Sequence, residues 1–139
     1  MIIVDTNVVS ESLRPSPDQR IVRWLNAQEP RDLWTTTITQ AEILVGIEAL
    51  PPGKRRTNLA AVADRILTGL FFGRILPFIE EAAHLYAKIV VGRKKIGRPI
   101  SVPDAMIAAI ARSIHAAVAT RDVKDFEHCG IAIVNPWTD

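Results

Sequence analysis

Short, nearly continuous apolar runs alternate along the chain with longer stretches in which apolar residues return every third or fourth position. Met1 to Val4 is the first run. Leu33-Trp34-Thr35-Thr36-Thr37, Ile75-Leu76-Pro77-Phe78, Ala117-Val118-Ala119-Thr120 and Ile131-Ala132-Ile133-Val134 follow. Runs with so little polar alternation are the pattern of strands buried on both faces, and therefore of a parallel sheet covered by helices. The helical pattern fills the gaps. Asp18 to Gln28 carries Ile21, Trp24 and Leu25 on one face, and Ile43, Ile47 and Leu50 form a second stripe, stopped by Pro51-Pro52-Gly53. Lys54 to Leu70 and Glu80 to Lys95 read as longer helices. Val102 to His115 is apolar nearly all round, through Met106, Ile107, Ile110 and Ile114, which puts that helix near the centre of the molecule. This order predicts an α/β fold with a central parallel sheet of about five strands sandwiched by helices. No repeat, low-complexity tract or linker interrupts it, so residues 1–139 read as one domain.

At 139 residues the chain is long enough to bury a core without staples. A hydrophobic content of 48% and a mean hydropathy of +0.15 are high for a small soluble chain, which suggests apolar surface reserved for a partner. No apolar stretch approaches the roughly 18 residues of a membrane span. Met1 to Val4 also meets Asp5 too soon to be a signal peptide, so the expected location is cytoplasmic. Cys129 is alone, which excludes an intrachain disulfide, and it lacks the nearby Cys and His of a thiolate zinc site; it reads as an ordinary thiol. A net charge of +2 and a pI of about 9.0 are too mild to identify a nucleic-acid binder. Two local clusters say more: Lys54-Arg55-Arg56, and Arg93-Lys94-Lys95 with Arg98. Each is a solvated face or a basic rim suited to holding a phosphodiester near carboxylates that repel it.

Those carboxylates are the chemical signal. Asp5 stands where the first strand gives way to a helix, and three more acids occupy similar positions: Glu42 in Thr39-Gln40-Ala41-Glu42, Asp104 in Ser101-Val102-Pro103-Asp104, and Asp122 in Thr120-Arg121-Asp122. Each has a local explanation. Thr39 with Glu42 and Ser101 with Asp104 match the capping box, Asp122 with Asp125 has similar spacing, and Asp5 suits a helix N-cap. Together they imply more, because parallel strands present their carboxyl ends to one edge and the loops leaving it meet in the crevice where α/β proteins bind ligands. Asp104 has no clear strand before it, so its own helix, firmly started by Pro103, must carry it inward. Carboxylates gathered in this way need a counter-charge, and a hard divalent cation, Mg²⁺ or Mn²⁺, supplies one. No Ser-His-Asp or Cys-His set accompanies them, and His84, His115 and His128 have no motif around them. Metal-activated water is then the economical nucleophile for phosphodiester hydrolysis. Two rival readings stand beside it. One is a Mg²⁺-dependent phosphatase or phosphotransferase using Asp5 covalently, against which Asn7 occupies the place of the usual second acid; the other is a non-enzymatic metal-binding interaction module.

The chain resembles PIN-domain ribonucleases, and specifically the VapC-type toxins of bacterial toxin-antitoxin pairs, in the FitB-like branch. The resemblance rests on Ile3-Val4-Asp5-Thr6-Asn7, Thr39-Gln40-Ala41-Glu42-Ile43 with Gly46, Pro103-Asp104-Ala105-Met106-Ile107-Ala108-Ala109, Ala119-Thr120-Arg121-Asp122 with Asp125-Phe126, and Asn135-Pro136-Trp137. It covers essentially the whole chain, in order. The resemblance implies Mg²⁺- or Mn²⁺-dependent endonucleolytic cleavage of RNA, with Asp5 and Asp104 as principal metal ligands, Glu42 as the third acid and Asp122 as the fourth. It makes Asn7 and Thr120 supporting polar residues, for which turn and cap roles remain alternatives. It also implies homodimers, and neutralisation by a small antitoxin that binds DNA through its own domain.

Overall fold

A computed structural model describes residues 1–139. Its elements run β1 (Ile2–Val4), α1 (Thr6–Ser12), α2 (Gln19–Ala27), β2 (Leu33–Thr36), α3 (Thr37–Glu48), α4 (Lys54–Arg65), β3 (Ile75–Leu76), α5 (Glu80–Lys95), α6 (Val102–Ser113), β4 (Ala117–Ala119), α7 (Val123–Phe126) and β5 (Ile133–Val134). All five strands are parallel, in the order β3-β2-β1-β4-β5.

The apolar runs are continuous because successive residues serve different layers, as strand geometry requires. Ile3 points into a core with α5 and α6, while Val4 points into a second core with α1, α3 and α4; on β2, Trp34 joins the first and Leu33 the second. The first core is rich in alanine, and Ala105 and Ile107 to Ala111 of α6 are all buried, as the all-round apolar pattern predicted. Small side chains let α6 approach both α5 and the sheet closely.

Boundaries moved where backbone chemistry competed with the pattern. β3 stops at Leu76, since Pro77 has no N–H for a ladder. Thr37 belongs to α3 rather than β2, because Thr36 Oγ1 accepts from the Thr39 amide and starts the helix. The helix read as Lys54 to Leu70 changes at Ile66 into a π-helical turn ending at Leu70. α6 ends at Ser113, with His115 in the left-handed region at φ 56°.

The sheet order fixes where a site can form. From β1 the chain first winds outward through β2 to β3, then returns to β4 on the other side of β1. The connections therefore diverge above the β1–β4 pair, leaving the crevice of a topological switch point. Asp5 ends β1 there, with its N–H donating to Ala119 O of β4 at 3.0 Å.

Candidate metal centre

Asp5, Glu42, Asp104 and Asp122 line one cleft of about 540 Å³, together with Thr6, Asn7, Ser10, Glu11, Arg14, Arg121 and Trp137. Four acids from four different connections thus reach one place: Asp5, Glu42 and Asp122 as the parallel sheet predicted, and Asp104 on its own helix. Asp5 caps α1 as expected, its side chain accepting from the Thr6 amide, but two of the other acids depart from their capping assignments. Glu42 is not a capping-box acid: α3 is capped by Thr36, so Glu42 sits in the second turn on the exposed face. Asp122 precedes α7 but makes no side-chain cap bond; its Oδ2 accepts from Asn7 Nδ2 at 3.0 Å instead. Asp104 follows the expected cap, its amide donating to Ser101 Oγ at 3.3 Å.

Asp5 is the fixed point of the cleft, only 4% exposed. Its Oδ1 accepts from the Thr6 amide at 2.7 Å, and its Oδ2 accepts from Thr120 Oγ1 at 2.9 Å and Asn7 Nδ2 at 3.1 Å. Asn7 ties the strand ends together: its amide also reaches Thr120 Oγ1 at 3.2 Å, and its Oδ1 accepts from the Arg121 amide at 3.1 Å. Thr120 is fully buried and in turn accepts from the Asp122 amide at 3.0 Å. On the opposite wall Thr6 Oγ1 donates to Glu42 Oε1 at 2.7 Å and lies 3.1 Å from Thr39 Oγ1.

The electrostatics record the crowding. Burial, with smaller contributions from the Asp104 and Glu42 charges, raises the Asp5 pKa from 3.8 to about 6 against the lowering effect of the Thr6 and Thr120 hydrogen bonds. Asp104 is raised by burial, opposed by its Ser101 hydrogen bond, and by repulsion from Asp125, Glu42 and Asp122. None of the four ion pairs in the structure involves a cleft acid among Asp5, Glu42, Asp104 and Asp122. An all-oxygen carboxylate set lacking a basic partner has the donor chemistry of a hard divalent cation. The side chains do not converge as a ready three-ligand cage. Asn7 and Thr6 draw Asp122 and Glu42 toward the walls, and both acids are exposed enough to turn about their side-chain bonds.

Two sequence expectations change here. Arg93 is no part of a basic rim: it is 4% exposed, and its guanidinium donates to the carbonyls of Arg98, Asp125 and Glu127 at 2.7, 2.8 and 2.9 Å. It ties the loop before α6, which presents Asp104, to the segment that follows Asp122. Arg98 pairs with Glu127 at 3.1 Å. The cations that do line the cleft, Arg14 and Arg121, belong to neither cluster. Thr6, Arg14, Arg121 and Trp137 were not singled out as site residues; for Thr6 and Arg121, direct adjacency to Asp5 and Asp122 was the available signal. Cys129 is buried behind the site, 3.7 Å from Arg93, and burial raises its thiol pKa, consistent with an ordinary thiol. Finally, no helix is long and apolar enough to cross a membrane.

Comparison with known proteins agrees with this architecture. Residues 2–131 match the PIN domain family. The chain is 42% identical to toxin FitB of Neisseria gonorrhoeae over 139 residues, covering 100% of both proteins. It is 39% identical to the VapC ribonuclease Y4jK of Sinorhizobium fredii over 137 residues, covering 99% of this chain and 98% of that protein. Among solved structures it superposes on a chain of FitAB bound to an IR36 DNA fragment with a TM-score of 0.93 and 41% identity, covering 100% of this chain and 97% of that one. With the sheet order, the switch-point cleft and these whole-length similarities in agreement, the chain belongs to the PIN-domain family, alongside FitB and VapC toxins.

Proposed function

We propose that the protein is a divalent-metal-dependent endoribonuclease and the toxin of a toxin-antitoxin pair. The observation that carries the chemistry is the gathering of Asp5, Glu42, Asp104 and Asp122 in one cleft with no basic side chain paired to any of them. Asp5 and Asp104 would hold Mg²⁺ or Mn²⁺ directly, with Glu42 and Asp122 completing the set. A cation bound there supplies an activated water and charge stabilisation for phosphodiester hydrolysis. The protein's own part is orientation. Asn7 and Thr120 fix the Asp5 carboxylate, Thr6 holds Glu42 at the cleft wall, and the Ser101 cap directs Asp104.

A covalent phosphotransfer reading is disfavoured by the same geometry. Asn7 stands where that chemistry wants a second acid, and its side-chain amide is engaged with Asp5, Thr120 and Asp122. A merely metal-binding module would leave RNA intact.

The partner reading draws on a groove of about 980 Å³ between α1, α3 and α4. Ile43, Ile47, Leu50, Leu59 and Val62 line it, and through Ser10, Arg14 and Glu42 it opens onto the acid cleft. Ile43 and Ile47 belong to the core while their outer edges floor the groove, so the stripe serves both purposes. An antitoxin segment would lay apolar side chains there and place an Arg or Lys among the acids. Residues 1–139 acting as one cytoplasmic domain, in homodimers neutralised by a DNA-binding antitoxin, complete the proposal.

The test is direct. Purified protein should cut RNA with Mg²⁺ or Mn²⁺ and stop when EDTA is in excess; cleavage undiminished by EDTA would refute the metal assignment.

A further inference from the structure

Arg121 is a cation in an acidic cleft that forms no ion pair, although its charge reaches Asp18 and contributes a minor part of the lowering of that carboxyl. It is exposed, lies beside Asp122 and lines the same cleft as the four acids, yet its guanidinium makes no ion pair and no hydrogen bond. Arg14, the other cation of the cleft, is paired with Glu11 at 3.2 Å. What holds Arg121 is an aromatic face: its Cζ lies 5.2 Å from the centroid of the Trp137 ring. Stacking of this kind orders a guanidinium while leaving its N–H edge free, the form in which arginine grips phosphate.

The platform is itself anchored. Trp137 is 8% exposed and packs in the core shared by α1 to α4. Its amide donates to Asn135 Oδ1 at 3.0 Å, and its carbonyl accepts from Arg20 Nη1 at 3.3 Å. Arg20 is in turn fixed by Asp18, 2.7 Å away. From the other side, the Arg121 amide donates to Asn7 Oδ1, which ties its backbone to the network that orients Asp5. The backbone and the stacking face of Arg121 are therefore both held, while its guanidinium lines the cleft with no hydrogen bond of its own.

We propose that Arg121, stacked on Trp137, is an RNA-holding residue that binds a phosphate oxygen of the strand lying in the acid cleft. The inference rests on the ribonuclease reading for its substrate, but its test is independent of cleavage. A phosphate contact contributes one displaced counterion, so it is read in the salt dependence of binding.

The experiment measures fluorescence anisotropy of a labelled single-stranded RNA oligonucleotide with the full chain in EDTA, across a range of salt concentrations, for wild type, Arg121→Ala, Arg121→Lys and, as a control, Arg31→Ala at the opposite sheet edge. Arg121→Ala should weaken binding about tenfold at low salt and reduce the slope of log Kd against log salt by about 0.7. Arg121→Lys should keep the slope but lose part of the affinity, since a lysine cannot make the planar double contact. Arg31→Ala should match wild type. Melting temperatures of all four guard against a folding artefact, and Arg121→Lys, which retains the charge, provides the second variant if Arg121→Ala is unstable. An unchanged slope in Arg121→Ala overturns the proposal, as does equal loss in the Arg31→Ala control. If wild type binds RNA with the expected slope change yet fails to cut it with Mn²⁺, the nuclease reading falls while the phosphate contact stands.

Discussion

At the β1–β4 junction Asp5, Asn7, Thr120 and Asp122 form one hydrogen-bonded unit, whereas across the cleft Glu42 hangs from a single Thr6 hydroxyl and Asp104 is directed only by the cap of its own helix. The contrast follows from where each acid sits. Asp5 and Thr120 leave adjacent, directly bonded strands, so their separation is set by the sheet and a short amide side chain spans it. Glu42 and Asp104 ride on α3 and α6, which pack through side chains, and a long or helix-borne carboxylate must find its position without a ladder. If the cleft holds a cation as proposed, the tied wall would define its position and the adjustable wall would close on it.

The comparison breaks most visibly at the acids themselves. Asp5→Asn or Asp104→Asn should lower RNA cleavage by about a thousandfold or more, because several kcal/mol of charge stabilisation depend on the held cation. Neither variant should unfold. In metal-free protein at neutral pH, Asp5→Asn should raise the melting temperature, since the native carboxylate is ionised there against burial and its neighbours. Should Asp5 or Asp104 act only as helix caps, the variants would melt earlier and cut normally when folded. Asp122→Asn, which keeps an oxygen ligand, should lose only about tenfold.

Cutting the ties separates the walls. Asn7→Ala should reduce cleavage roughly 10- to 100-fold, the usual cost of removing a ligand's orienting partner, while Thr6→Val on the adjustable wall should cost about threefold. Single-turnover cleavage of one RNA by both variants measures the difference. Equal losses would mean that the two walls are equally rigid in function.

The tied wall should also leave a mark on stability against pH, read without any cleavage. The Asp5 carboxyl is raised from 3.8 to about 6, so between those values the folded protein keeps a proton that the unfolded chain has released. Stability of the metal-free protein should therefore fall as pH rises from about 4 to about 6 and level off above it, by about 3 kcal/mol from this group. Asp104 shifts in the same direction. Asp18, lowered to about 2 by its Arg20 hydrogen bond, acts with opposite sign but only below pH 4. Urea denaturation in EDTA at pH 4.5 and 7 should show the fall in wild type and a shallower one in Asp5→Asn; parallel curves would contradict the burial argument for Asp5.

Much of this was legible in the residues alone. Near-continuous runs such as Ile2-Ile3-Val4 can be satisfied only by layers on both faces, and Ile3 and Val4 divide between two cores as such a run demands. A helix apolar all round has to be central, and α6 is. Once strands are parallel, acids in the segments that follow them fall on one edge, so Asp5, Glu42 and Asp122 were readable as neighbours without knowing any contact. Local rules failed where two of them fitted equally well. Thr36 and Thr39 are both good caps three residues apart, and packing of α3 against β2 chose the first, moving Glu42 into the helix. Arg93 and Lys94 look alike in a basic run, but only the residue facing α7 could bury its guanidinium against three carbonyls.

What the chain determined by itself is the kind of each element and the face it buries, because periods of two and 3.6 residues are local properties of the backbone. Only the tertiary structure decided which distant side chains meet. Asn7 with Thr120 and Asp122, Thr6 with Glu42, and Arg121 with Trp137 are pairings settled by how strands and helices cross, on a length scale that no local pattern of residues encodes.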